Sequence, residues 1–128
     1  MKKSPSMDLW LQEAKEHESA EKIGMYLVHN GTVRKTAKAK VRSGDESAAD
    51  VSGMIFGYDE DKVNKAVAET YEMDGIHYVR TWLNSGWLNV GDDIMYVLIG
   101  GDIRPHVVAA LDSLVEKLKT QCVTEKEI

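Results

Sequence analysis

The tightest constraint on the fold is the spacing of three extended segments late in the chain. Residues 77–83, 87–90 and 94–99 read as strands, separated only by Asn84-Ser85-Gly86 and Gly91-Asp92. Connections this short join antiparallel neighbours; a parallel neighbour needs a crossover of a dozen or more residues. Strands and helices alternate along the chain, but these short turns suggest antiparallel pairing over 77–99. The expected class is α+β, a mixed or antiparallel sheet with packed helices.

Periodicity supplies the helices. Val63, Ala66, Val67, Thr70 and Tyr71 form one face of a helix from residue 60 to about 73, with Asp59 as N-cap and Asp74-Gly75 as stop. Gly100-Gly101-Asp102 leads into a last helix over about 104–121. Pro105 lies in its first turn, and Val107, Val108, Leu111, Leu114, Val115 and Leu118 form its buried stripe. A weaker helix is predicted over 8–19, capped by Asp8. Residues 23–29 read as a buried strand ending at Asn30-Gly31, and residues 51–58 as a strand carrying Gly53 and Gly57. Residues 35–50 read as a mobile loop, 1–7 as a flexible N-terminus and 121–128 as a tail.

The chain has 128 residues, the length of one domain, with a net charge of −5. The acidic balance argues against general nucleic-acid binding, which requires a basic surface to displace counterions. No apolar run reaches the roughly 20 residues that span a bilayer, so no membrane association is expected. A single cysteine, Cys122, excludes an internal disulfide framework and reads as a packed thiol. No apolar leader follows the basic start, so the expected setting is the reducing cytoplasm.

Against this background the run 34–42 stands out, with five cations and no acid. Its Arg34 and Lys35 follow a strand and a glycine turn, where a guanidinium can fork onto a phosphate or carboxylate; a solvated basic loop is the plain alternative. Arg104 opens the last helix, where free N–H groups and the helix dipole favour an anion. Lys119 and Lys126 lie near the C-terminus; burial or neighbouring cations would lower their pKa and fit them for proton transfer or nucleophilic attack. His17, His29, His77 and His106 are scattered without ligand spacing, so neither a metal nor another cofactor is expected.

Taken together, Gly31-Thr32-Val33-Arg34 after a buried strand, residues 86–92 (Gly-Trp-Leu-Asn-Val-Gly-Asp) before a strand, Arg104 at a helix start, Leu118-Lys119-Thr120 at its end and Lys126 seven residues on resemble the large, catalytic subunit of molybdopterin synthase over residues 20–127. The resemblance implies an α/β hammerhead fold, a homodimer, and a heterotetramer with a small ubiquitin-like sulfur-carrier subunit ending in Gly-Gly. It implies sulfur transfer from the carrier's thiocarboxylate to cyclic pyranopterin monophosphate, forming molybdopterin. By position, Arg34 and Arg104 would hold the anionic precursor with Lys35 and His106 beside them. Lys119 and Lys126 would line the pocket, Lys119 being the stronger catalytic candidate. The chain departs from the family pattern where Ile103-Arg104 replaces a His-Arg pair, where Leu83 and Asn84 replace another, and where Glu125 replaces a tryptophan. The alternatives are a non-catalytic relative that docks the carrier or a small anionic ligand, and an anion-binding domain unrelated to sulfur transfer.

Overall fold

The computed structural model describes residues 1–46 and 48–128. Two three-stranded antiparallel sheets carry the fold. The larger has the order β1–β5–β3, built from β1 (Met25–Thr32), β5 (Asp93–Gly101) and β3 (Ile76–Leu83). The smaller has the order β4–β2–β6, built from β4 (Gly86–Asn89), β2 (Gly53–Tyr58) and β6 (Val123–Glu127). The helices are α1 (Met7–Glu16), α2 (Lys38–Ser43), α3 (Glu60–Tyr71) and α4 (Arg104–Lys117). A 3₁₀ turn, Glu18–Lys22, follows α1, and a π turn, Leu118–Cys122, ends α4. This bears out the α+β class. No helix among the described residues is long and apolar enough to cross a membrane.

Strand β5 shows why the larger sheet is covered on both faces. Its side chains alternate: Met95, Val97 and Ile99 enter the main core, while Leu98 packs with Trp10 and Ala14 on the other side. Helices α3 and α4 cover the first face through Val63, Ala66, Val107, Ala110 and Leu114. Helix α1 covers the second through Trp10 and Ala14. Backbone approaches are close where glycines allow them. A Cβ at Gly101 would stand 2.7 Å from the Gly75 carbonyl oxygen and 2.7 Å from Val107 Cγ2, so only a bare Cα lets α4 settle on the strand end.

Several expectations are corrected. The three late strands are antiparallel, but β4 leaves its sequence neighbours and joins the smaller sheet, while β3 and β5 pair with each other. Gly86 and Gly91, with φ of +86° and +92°, turn the chain into and out of this excursion. Asn30-Gly31 lies within β1 and does not end it, and a bulge follows at Gly31/Thr32. Ser6, not Asp8, caps α1, its Oγ accepting from the Leu9 N–H. Val108 is exposed, and Ala110 takes the inward position in the stripe. The stretch read as a tail is strand β6, and a short helix, α2, lies within the stretch read as a loop. Near the N-terminus the Lys2 N–H donates to Asn84 Oδ1 at 2.7 Å, and Lys2 Nζ donates to the Tyr58 hydroxyl at 2.7 Å.

Candidate functional site

The two sheets meet at a cavity of about 190 Å3. Its walls come from six places in the chain. The end of β1 supplies His29, Gly31 and Thr32, and Arg34 follows directly. Helix α2 supplies Lys38, the π turn supplies Lys119, and β6 supplies Glu125 and Glu127. Met54, Ile94 and Met95 close the apolar side.

Strand register decides which residues of β6 reach this space. Glu125 pairs with Phe56 and Glu127 with Met54, both buried core residues, while Lys126 pairs with the exposed Ile55. Residues directly opposite in a sheet share a face, so the two carboxylates turn inward and Lys126 turns outward. The inward carboxylates hold α2 in place. Glu125 forms an ion pair with Lys38, and Glu127 Oε1 accepts from the Lys38 backbone N–H at 3.1 Å.

The cavity favours weakened ammonium groups. Burial holds the Lys119 amine below its ordinary pKa, and the Arg42 and Arg34 guanidiniums push it down further. Burial also lowers the Lys38 amine, with Arg42, Lys119 and Arg34 adding to the effect while Glu127 opposes it. Both lysines are thus better proton donors than free lysines. With the fixed charge of Arg34, they provide what an anion and a leaving group require: counter-charge, hydrogen bonds and an available proton. Cys122 does not contribute to this chemistry: its thiol is buried, and burial raises its pKa.

Of the residues singled out from sequence, the fold brings Arg34 and Lys119 into one cavity. Lys35 lies outside it and forms an exposed ion pair with Asp50 at 3.8 Å. Lys126 is on the outer face of the smaller sheet. Arg104 begins the 14-residue helix whose far end leads to Lys119, so helix rise alone separates them by about 20 Å. His106 is also at that distant end, its Nδ1 2.7 Å from Asp102 Oδ1; this hydrogen bond is the main reason the Asp102 carboxyl titrates below its usual range. Within one chain, Lys35, Lys126, Arg104 and His106 do not line the cavity. Leu83 and Asn84 are buried, and Asn84 Nδ2 donates to the Asp93 carbonyl at 2.8 Å.

The sequence alone marks Lys38 only as one cation of the basic run and gives His29, Glu125 and Glu127 no part in the site. For the two glutamates a signal was present: Val123, Glu125 and Glu127 alternate with Thr124 and Lys126, the period of a strand.

Comparison with known proteins agrees with this architecture. Residues 6–121 match the family model described as MoaE protein. No curated protein gives a significant match. Among solved structures, the chain is similar to the molybdopterin biosynthesis MoaE protein of Burkholderia ambifaria MC40-6, with a TM-score of 0.73 at 19% identity over 98% of this chain and 84% of that one. It is similar to molybdopterin synthase of Staphylococcus aureus, with a TM-score of 0.69 at 17% identity over 91% of this chain and 82% of that one. It is also similar to a chain in the complex of subunits 1 and 2 of the molybdopterin-converting factor of Helicobacter pylori 26695, with a TM-score of 0.67 at 16% identity over 97% and 79%. At these identities the structures establish the shared fold, and the family match covers most of the sequence. The chain belongs to the MoaE family, the large subunits of molybdopterin synthase, and so to molybdopterin biosynthesis.

Proposed function

We propose that the chain is a sulfurtransferase of the cytoplasm. It moves sulfur from the C-terminal thiocarboxylate of a small ubiquitin-like carrier to cyclic pyranopterin monophosphate. The observation that carries this reading is the meeting of Arg34 and Lys119, distant in sequence, in one cavity of a MoaE-family chain. The Arg34 guanidinium suits the precursor's phosphate, which it can grip through two parallel hydrogen bonds. The Lys119 ammonium, its pKa lowered by burial and by two guanidiniums, suits proton delivery. In the step itself the thiocarboxylate sulfur forms a bond to a precursor carbon, a carbon–oxygen bond breaks, and the departing oxygen takes the Lys119 proton. Water then hydrolyses the resulting thioester, freeing the carrier's carboxylate and leaving the sulfur on the precursor, and a second thiocarboxylate repeats the step at the neighbouring carbon to give the dithiolene. No oxidant or reductant is required.

The cavity is smaller than the roughly 300 Å3 or more of a typical ligand pocket. It has room for a phosphate or a carrier's extended terminus, and the fused rings of the precursor would project from it. A homodimer answers this requirement: Arg104 and His106 of a second copy would complete the site, with one carrier on each large subunit in a heterotetramer. The outward turn of Lys126 favours the second reading, a relative that docks the carrier or a small anion without transferring sulfur.

The deciding experiment combines the purified chain, a thiocarboxylated carrier and the pyranopterin precursor, and measures dithiolene product. Lys119→Ala should lower the rate at least about 100-fold, in the range for loss of a general acid. Arg34→Ala should act mainly on KM for the precursor. A wild-type rate in Lys119→Ala would overturn the assignment, and an inactive wild type that still captures the carrier would establish the docking reading.

A further inference from the structure

His29 is a polar side chain in a row that the fold otherwise fills with apolar ones. On β1 it shares a face with Met25 and Leu27, both packed against the main core. Its Nε2 is buried and, among the described residues, has no hydrogen-bond partner. A buried ring nitrogen left unpaired is costly, and an apolar residue would fill the position without that cost. The ring lies in the wall between the cavity of Arg34 and Lys119 and a shallow groove along α4 that includes Asp112. Gly31, on the same side of the strand, leaves the ring room to move: a Cβ there would stand 3.7 Å from Nε2. The terminal torsion of a histidine is broad, so the ring can turn within this space.

We infer that His29 is a third binding group of the cavity, donating its Nε2–H to the anionic group held by Arg34 and Lys119. This rests on the anion-binding half of the proposed function and not on sulfur transfer. The charged groups around the ring are Lys119 on the π turn, Arg34 after β1, Lys38 on α2, Glu125 and Glu127 on β6, and Asp112 on α4. Burial and then Lys119 hold the imidazole below its ordinary pKa, which keeps it neutral with one N–H to offer. A neutral donor adds a hydrogen bond without a further charge, and an anion seated against it raises its proton affinity.

The test uses the full chain with 15N-labelled histidine and inorganic phosphate as probe. Phosphate should shift the His29 Nε2 resonance and raise its titration midpoint. His29→Phe should weaken phosphate binding about tenfold, the loss of one hydrogen bond of roughly 1.4 kcal/mol. His29→Gln, whose amide N–H reaches a similar point, should stay within about threefold of wild type. The inference is overturned by a resonance that does not move at saturating phosphate, by wild-type affinity in His29→Phe, or by no phosphate binding at tens of millimolar. The resonance is read in the unaltered protein, so a His29→Phe chain that fails to fold still leaves a decisive measurement. Phosphate binding through His29 without dithiolene product would sink the sulfur-transfer reading alone; product formation with an unmoved resonance would sink this inference alone.

Discussion

Replacing Glu125 by glutamine should make the cavity bind anions more tightly while making the protein less stable. The walls carry three formal cations, Arg34, Lys38 and Lys119, against two carboxylates, Glu125 and Glu127. Glu125→Gln therefore raises the formal charge of the lining from +1 to +2. For an anion roughly 6 Å from the lost carboxylate, at an effective dielectric constant of about 40 for so open a site, the gain is about 332/(40 × 6), or about 1.4 kcal/mol, a tenfold increase in affinity. The same change removes the ion pair with Lys38, whose side chains are 31% and 16% exposed. Such a half-buried pair contributes about 1 kcal/mol, which corresponds to about 4 °C in Tm for a chain of this length. Calorimetric titration with inorganic phosphate reads the first effect and differential scanning calorimetry the second. In 0.5 M salt the Debye length falls to about 4 Å, and the affinity gain should shrink below about threefold. Unchanged or weaker phosphate binding at low salt would refute the electrostatic account of the cavity.

Two further outcomes follow from packing and titration. Leu114 is fully buried between α4 and the larger sheet, so Leu114→Ala should cost about 3 kcal/mol and lower Tm by about 12 °C; a loss under about 1 kcal/mol by urea unfolding would show that the core is not packed as described. The native imidazole of His29 binds its proton more weakly than the unfolded one, so the unfolded state takes up more protons as pH falls through about 6.5. Stability should therefore decline between pH 7 and pH 5, and His29→Phe should flatten that decline; equal slopes in phosphate-free urea titrations would contradict the lowered pKa.

The elements legible in the sequence were those whose stabilising contacts are local or strongly periodic. Helix α3 announced itself through Asp59, whose side chain accepts from the Lys62 N–H, and through Val63, Ala66 and Thr70 on one face. Strand β5 was legible because its inward side chains are all apolar. Strand β6 was not, because its inward positions hold Glu125 and Glu127, which satisfy Lys38 instead of filling a core. Helix α2 was hidden for the same reason from the other side: a basic run without apolar spacing is held by acids nearly 90 positions later. The exchange of β4 into the smaller sheet depends on β2, far upstream, and short turns alone do not reveal it. In the candidate site, Arg34 and Lys119 stood out as cations, whereas His29 was concealed within what reads as a buried strand.

The smaller sheet has a bearing on biogenesis. Its central strand, β2, borders one segment at residues 86–89 and another at 123–127, so it gains its second border only after residues 123–127 have left the ribosome. Until then Lys38 lacks the carboxylates of Glu125 and Glu127, and one flank of β2 is unsealed. Synthesis thus passes through a stage at which β2 is open to strand-to-strand adhesion, and the five residues of β6 close it and bring Lys38 its carboxylates in one step.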